Sequence, residues 1–161
     1  MFFAQNGFNV SALDYSISGV EVMIKKAQKL GVSQLVNAVN HDIRRPLPFP
    51  DETFDAFYCH MLYCMALCRS ELEALFQEVR RVLKPNGVNI YAVRHTGDAH
   101  YGRGIHRGED LHEVGGFIVH FFSREKVKYL TKGYDLLSIE EFEEGELPCK
   151  LFWVMLRKKV E

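Results

Sequence analysis

The feature that most constrains this chain is a repeated change of hydrophobic period. Short apolar runs rich in β-formers alternate with stretches whose apolar residues recur at helical spacing. Folds that interleave strands with crossover helices have this order. Residues 8–13 form the first run, which ends at Asp14. Val20, Met23, Ile24, Ala27 and Leu30 then share one helical face, with Gly31 placed to cap its end. Residues 35–40 read as a second strand closing on His41-Asp42, and Pro46, Pro48 and Pro50 make residues 44–51 an extended connector. Residues 55–59 read as a third strand.

Ser70-Glu71-Leu72-Glu73 has the pattern of a capping box. The helix it opens places Leu72, Leu75, Phe76, Val79 and Leu83 on one face, and Pro85-Asn86-Gly87 stops it. Residues 88–93 are a fourth strand. Residues 94–119 are rich in glycine and histidine and read as a long loop over a pocket. Ser123 starts a short helix that ends near Gly133. Residues 136–142 and 151–156 are two closing strands, and the link 144–148 is short enough for an antiparallel pair. The expected fold class is α/β: a Rossmann-like, mostly parallel sheet with helices on both faces and a C-terminal antiparallel strand pair. With 161 residues and no repeat or linker, the chain reads as a single domain over 1–161.

Composition narrows the partners. Twenty basic and 21 acidic residues leave a net charge of −1, without the basic surplus that phosphate neutralisation needs, so no nucleic acid is expected. No apolar run reaches the ~20 residues of a membrane span, and the first residues lack the basic flank and apolar stretch of a secretory signal. Cys59, Cys64, Cys68 and Cys149 have no paired spacing and read as reduced thiols, with Cys64 and Cys68 one helical turn apart. The expected location is therefore cytoplasmic.

In open α/β sheets, ligands bind outside the carboxyl ends of the strands. The residues there are Asp14, Asp42, His60 and Arg94-His95. A carboxylate at Asp14 can accept the two hydroxyl hydrogens of a ribose; the plainer reading is a cap for the next helix, since Tyr15-Ser16 follow. Asp42 can accept from an exocyclic amine, or it can pair with Arg44 or Arg45.

Four segments, NVSALDYS, HDIRRPLPFPDETFDAFYCHMLY, EVRRVLKPNGVNIYAVR and HFFSREKVKYL with GYDLLSIEEF, resemble class I S-adenosylmethionine-dependent methyltransferases of the small-molecule type. The most specific stretch is Glu78 to Gly87, where Asn86 replaces the usual second glycine of the turn and tolerates the left-handed conformation. The resemblance implies that Asp14 binds the ribose hydroxyls of S-adenosylmethionine and that Tyr15 lies against the adenine. It implies that Asp42 accepts from the adenine amine, that Ile43 packs on the ring, and that His60 and Met61 lie beside the methionine part and the transferring methyl. Alignment of the acceptor then supplies most of the catalysis. His60 and His95 are the candidate bases. His60-Met61-Leu62-Tyr63 stands where amino-methylating enzymes of nucleic acids and protein amides carry an Asn/Asp-Pro-Pro-aromatic run, which favours a small-molecule acceptor.

Other signals are weaker. His95, His100, His106, His112 and His120 crowd one segment, and His106 with Asp110 or His112 with Glu113 suggest a metal, but a polar substrate-facing loop explains them more simply and no metal is expected. The glycines from Gly102 to Gly108 resemble a phosphate loop but open no helix. The family's glycine-rich turn precedes its ribose-binding acid by about 20 residues, so counting back from Asp14 places it before Met1, with Phe2-Phe3-Ala4 as the last turn of the helix that follows it. The chain is expected to enter the fold one βα unit late, leaving two sheet edges open. A fragment of a full enzyme, a short protein that forms a homodimer through those edges, and a non-catalytic binding remnant are all consistent with this. A nicotinamide-dependent oxidoreductase is permitted by Asp14 alone and not favoured by the LKPNG turn.

Overall fold

A computed structural model describes residues 1–145 and 149–160. The predicted link therefore lies outside the described residues from Glu146 to Pro148. The chain forms two compact units, Met1–Pro48 and Phe49–Glu161.

The first unit holds helix α1 (Phe2–Gln5), strand β1 (Val10–Asp14), helix α2 (Ile17–Lys29), a 3-10 turn (Ser33–Leu35) and strand β2 (Val36–Asn40). β1 and β2 are parallel, with Asp14 opposite Asn40, so both carboxyl ends finish level. Ala4, Ala27 and Val32 make a small core with Met1, Val10, Leu35 and Val36. The helical face expected on α2 is only partly used: Ala27 is buried, while Ile24 and Leu30 stay exposed. A two-stranded sheet is too narrow to cover a full helical stripe. Gly31 takes the left-handed conformation expected of a helix stop, at φ +68°.

The second unit holds β3 (Phe54–His60), α3 (Arg69–Val82), β4 (Leu83–Arg94), β5 (Ile105–His106), β6 (Leu111–Val114), β7 (Phe117–His120), α4 (Arg124–Leu130), β8 (Tyr134–Glu144) and β9 (Cys149–Lys158). Its main sheet has the order β3-β4-β9-β8. β3 and β4 are parallel, and β9 runs antiparallel to both β4 and β8. The α/β class, the parallel crossovers and the antiparallel final pair are thus as expected. Among the described residues β1 pairs only with β2, and β3 only with β4.

α3 buries Leu72, Leu75, Phe76, Val79 and Val82. Phe76 lies 4.6 Å from Tyr63 and 5.7 Å from Tyr91, centroid to centroid. The Tyr134 hydroxyl donates to the Phe76 carbonyl at 3.0 Å, which satisfies its polar end inside the core. The cap of this helix differs from the sequence reading. Cys68, not Ser70, is the N-cap, and Glu71 accepts from the Cys68 amide at 2.8 Å. The pattern therefore starts two residues early, because Glu71 rather than Glu73 sits three residues after the cap. Cys64 lies in a turn and Cys68 at the cap, so they do not share a helical turn. All four thiols are free.

The LKPNG segment belongs to the start of β4. Phe54 pairs with Leu83 and Ala56 with Val88, so residues 84–87 loop out between them. Asn86 adopts φ +63°. A Cβ on Gly87 would lie 2.9 Å from the Lys84 carbonyl oxygen and 3.2 Å from that of Asp55, so the close backbone approach requires glycine.

Residues 94–119 depart most from expectation. Instead of an irregular lid they contain a three-stranded antiparallel meander, β5-β6-β7. Gly104, at φ +73°, is forced by the Glu113 carbonyl, which a Cβ would strike. Gly108 lies between β5 and β6 and Gly115-Gly116 between β6 and β7, all at positive φ, and the stretch from Gly102 to Gly108 runs into a strand and opens no helix. No helix among the described residues is long and apolar enough to cross a membrane.

Candidate functional site

In the first unit the candidate residues gather at the level ends of β1 and β2. Asp14 Oδ1 accepts from the Ser16 amide at 2.8 Å, and Ser16 Oγ accepts from the Gly19 amide at 3.3 Å. Ser16 is thus the cap of α2, which leaves Asp14 Oδ2 with no hydrogen-bond partner among the described residues. Gly19 makes the room for it: a Cβ there would lie 2.6 Å from Asp14 Oδ2. Asn40 holds the turn from the other strand, its Nδ2 donating to the Asp14 carbonyl at 3.1 Å and the Tyr15 carbonyl at 2.7 Å. The Tyr15 ring is exposed beside this acid.

Asp42 sits two residues past β2. Arg44 occupies it, donating from its amide at 3.1 Å, from Nε at 2.9 and 3.2 Å, and from Nη2 at 2.7 Å. These hydrogen bonds lower its pKa to about 2, so the carboxylate stays charged at any working pH. An amine accepted by Asp42 must share it with Arg44. Ile43 follows, half-buried.

In the second unit β3 ends at His60, opposite Ala92 of β4. Met61 then turns the chain with φ +59°, a conformation costly for a side chain of this size. Its amide donates to the Ala92 carbonyl at 2.8 Å, and the Cys64 thiol donates to the Met61 carbonyl at 3.2 Å, which holds the turn. His60 Nε2 lies 2.8 Å from Glu144 Oε2. With the proton on Nε2, directed at this carboxylate, Nδ1 of the neutral ring is left as an acceptor. A cleft of about 370 Å³ opens here, lined by His60, Glu140, Glu141, Phe142, Glu144 and Trp153.

His95 is placed differently. It is buried, stacked on Phe152 at 4.4 Å, and its Nδ1 accepts from the Gly97 amide at 2.9 Å. Burial lowers its pKa and keeps it neutral. The one lone pair of the neutral ring is therefore already used, which leaves His95 without the means to take a proton from an acceptor. Arg94, the neighbouring strand-end residue, is locked to Asp98 at 2.6 Å.

Of the clustered histidines, His100, His106 and His120 have separate partners, while His112 Nδ1 is buried without a hydrogen-bond partner among the described residues. His106 Nε2 lies 3.1 Å from the Glu109 carbonyl, His100 Nδ1 lies 2.7 Å from Arg94, and His120 Nδ1 lies 2.6 Å from the Leu67 carbonyl. Asp110 pairs with Lys126, and Glu113 with Arg107. Sequence reasoning missed Gly19, Asn40 and Glu144. A glycine in the first turn of a helix directly after a strand-end acid is a readable signal for the first. Glu144 is 84 residues from His60, and nothing in the sequence pairs them.

Comparison with known proteins gives a consistent picture. The family model described as "Methyltransferase domain" matches residues 1–91. A sterol 24-C-methyltransferase from Gibberella zeae is 34% identical over 82 residues, which is 51% of this chain and 19% of that protein. The chain thus spans about a fifth of the curated relative it matches. Among solved structures, an S-adenosylmethionine-dependent methyltransferase of Methanosarcina mazei superposes with a TM-score of 0.84 at 18% identity, over 99% of this chain and 86% of that one. A Burkholderia thailandensis 1,6-didemethyltoxoflavin-N1-methyltransferase with bound S-adenosylhomocysteine gives 0.74 at 13% identity, over 99% and 65%.

Proposed function

The chain belongs to the methyltransferase-domain family, of the class I S-adenosylmethionine-dependent type, and on that premise we propose that it moves a methyl group from S-adenosylmethionine to a small-molecule acceptor. The observation that carries this reading is the Asp14 carboxylate, fixed through Oδ1 at a strand end and left open at Oδ2 above Gly19. That cradle fits a ribose hydroxyl pair, which needs acceptors and no competing donor. Tyr15 offers an exposed ring to the adenine, and Asp42 and Ile43 stand at the neighbouring strand end. His60 and Met61 serve the methionine end. When bound, the cofactor supplies an already activated methyl on its sulfonium.

The protein's part is then to orient and to manage one proton. Glu144 holds the His60 imidazole, and Nδ1 can take the proton of an acceptor O–H or N–H. His95 keeps the end of β4 in place through Phe152 and Gly97.

Calorimetric titration with S-adenosylhomocysteine tests it. The chain is expected to bind, and Asp14→Asn is expected to bind at least tenfold more weakly. Absence of binding by the unaltered chain overturns the assignment. A second reading, self-association without catalysis, rests on the edges of β1 and β3 that have no strand partner among the described residues. A concentration-independent monomer in sedimentation equilibrium removes it.

A further inference from the structure

The cleft beside His60 carries more than one base. Its floor is Trp153 of β9, with Phe142 of β8 edge-on to it at 6.4 Å and Tyr58 of β3 against its other side at 6.0 Å. The register runs His60, Ala92, Trp153, Glu140 across four strands, so a histidine and a carboxylate flank the indole on one face of the sheet. Among the described residues no helix residue lines this cleft.

Its charges do not balance. Glu141 is paired with Arg124 at 2.7 Å, whereas Glu144 accepts only a hydrogen bond from the His60 ring at 2.8 Å. Glu140 has no ion-pair or hydrogen-bond partner among the described residues. With the His60 ring neutral, as it must be to take a proton, the cleft holds two carboxylates without a cationic partner among the described residues, Glu140 and Glu144, and Glu140 stands in register beside Trp153. An aromatic face attracts an organic cation through its quadrupole, and an adjacent carboxylate adds directed charge. Glu140 is exposed and hydrated, so it tolerates a neutral acceptor but attracts a cation and repels an anion.

We infer that this cleft takes an amine-bearing small molecule in its ammonium form, held between Trp153 and Glu140, as the methyl acceptor. The inference rests on the methyltransferase reading for the acceptor's fate, but the binding site itself does not. The ammonium's N–H bond breaks with its proton passing to His60 Nδ1, which leaves the nitrogen lone pair free on a neutral amine. Glu144 then balances the imidazolium. Phe142 walls the cleft beside the indole.

Trp153 is the single tryptophan of the chain, so its emission reports on this cleft alone. The unaltered chain is titrated with choline chloride and, separately, with its neutral isostere 3,3-dimethylbutan-1-ol, at constant ionic strength. Choline is expected to change the emission saturably, with the isostere at least tenfold weaker. Glu140→Gln is expected to weaken choline at least fivefold, and Trp153→Leu, followed by calorimetry, to abolish its binding while circular dichroism stays unchanged. No saturable change with choline, equal responses to both compounds, or an unaffected Glu140→Gln overturns the proposal. Titration with S-adenosylhomocysteine in the same samples separates the two readings. Cofactor binding without choline binding removes only the acceptor assignment, whereas choline binding without cofactor binding removes only the methyl-transfer reading.

Discussion

Gly19 lies directly beneath the carboxylate of Asp14: a Cβ at position 19 would stand 2.6 Å from Oδ2 and 2.7 Å from Cγ. The two residues act as one device, an acid whose outer oxygen is open because its neighbour has no side chain. Gly19→Ala separates site from stability. Alanine in a helix interior gains up to about 1 kcal/mol over glycine, which offsets the cost of turning Asp14 aside. The expected result is a thermal midpoint within a few degrees of the unaltered chain and S-adenosylhomocysteine affinity at least tenfold lower. An equal loss of stability and binding would show that the site had merely unfolded.

How much of this was legible in the sequence depends on distance along the chain. The ends of β1 and β3, the stripe of α3 and the left-handed Asn86 all follow from local pattern. Asp14 was readable because strand, acid and helix are consecutive. Its open oxygen was not, because that depends on Ser16 taking the capping role and Gly19 vacating the space. His60 was readable as a strand end, but Glu144 reaches it across three intervening strand pairings. The meander at 105–120 was missed because its strands are two to four residues long and its glycines look like loop residues. Periodicity needs more residues than that to register.

The turn into β4 allows a test of backbone strain alone. Asn86 holds φ +63°. Asn86→Ala is expected to destabilise by about 1–2 kcal/mol, the cost of the left-handed conformation for an ordinary side chain, while Asn86→Gly stays within about 1 kcal/mol of the unaltered chain. Gly87→Ala should also destabilise, since its Cβ meets two backbone carbonyls. Urea midpoints for the three variants, with m unchanged, would establish the order.

Asp98 is the most heavily used buried acid, with its side chain 1% exposed. It accepts from Arg94 Nη2 at 2.6 Å, from the His100 amide at 2.8 Å and from the Lys150 amide at 2.8 Å. Burial alone would raise its pKa, but the His100 amide, Arg94 and the Lys150 amide outweigh it and the net shift is downward. A depressed carboxyl contributes stability that is present above the unfolded value of about 3.9 and lost as pH falls through the folded one. Asp98→Ala leaves the buried Arg94 without its carboxylate, so the loss at pH 7 is expected to be about 3–5 kcal/mol. Denaturant melts at pH 7 and pH 3 should show this difference narrowing in acid.

His120 provides the opposite end of the pH range. It is fully buried, its Nδ1 hydrogen directed at the Leu67 carbonyl at 2.6 Å and its Nε2 accepting from Lys126 Nζ at 2.5 Å. Lys126 is itself paired to Asp110 at 2.5 Å. Burial lowers the His120 pKa; the Leu67 carbonyl acts against it and Lys126 with it. A histidine that folds neutral contributes stability that is full above its unfolded pKa of about 6.5. As pH falls below that value the unfolded chain takes up the proton first, and stability declines until the folded pKa is passed. His95 is shifted the same way by its own burial and adds to the slope. His120→Asn keeps a donor for Leu67 but cannot titrate. At pH 8 it should cost about 1–3 kcal/mol for the lost Lys126 hydrogen bond and the space left by the ring. Between pH 7 and pH 5 its stability should fall less steeply than that of the unaltered chain, and His95→Asn in addition should remove most of the remaining slope. Urea midpoints at half-unit intervals measure this directly, and an unchanged slope in His120→Asn would assign the acid sensitivity to other groups.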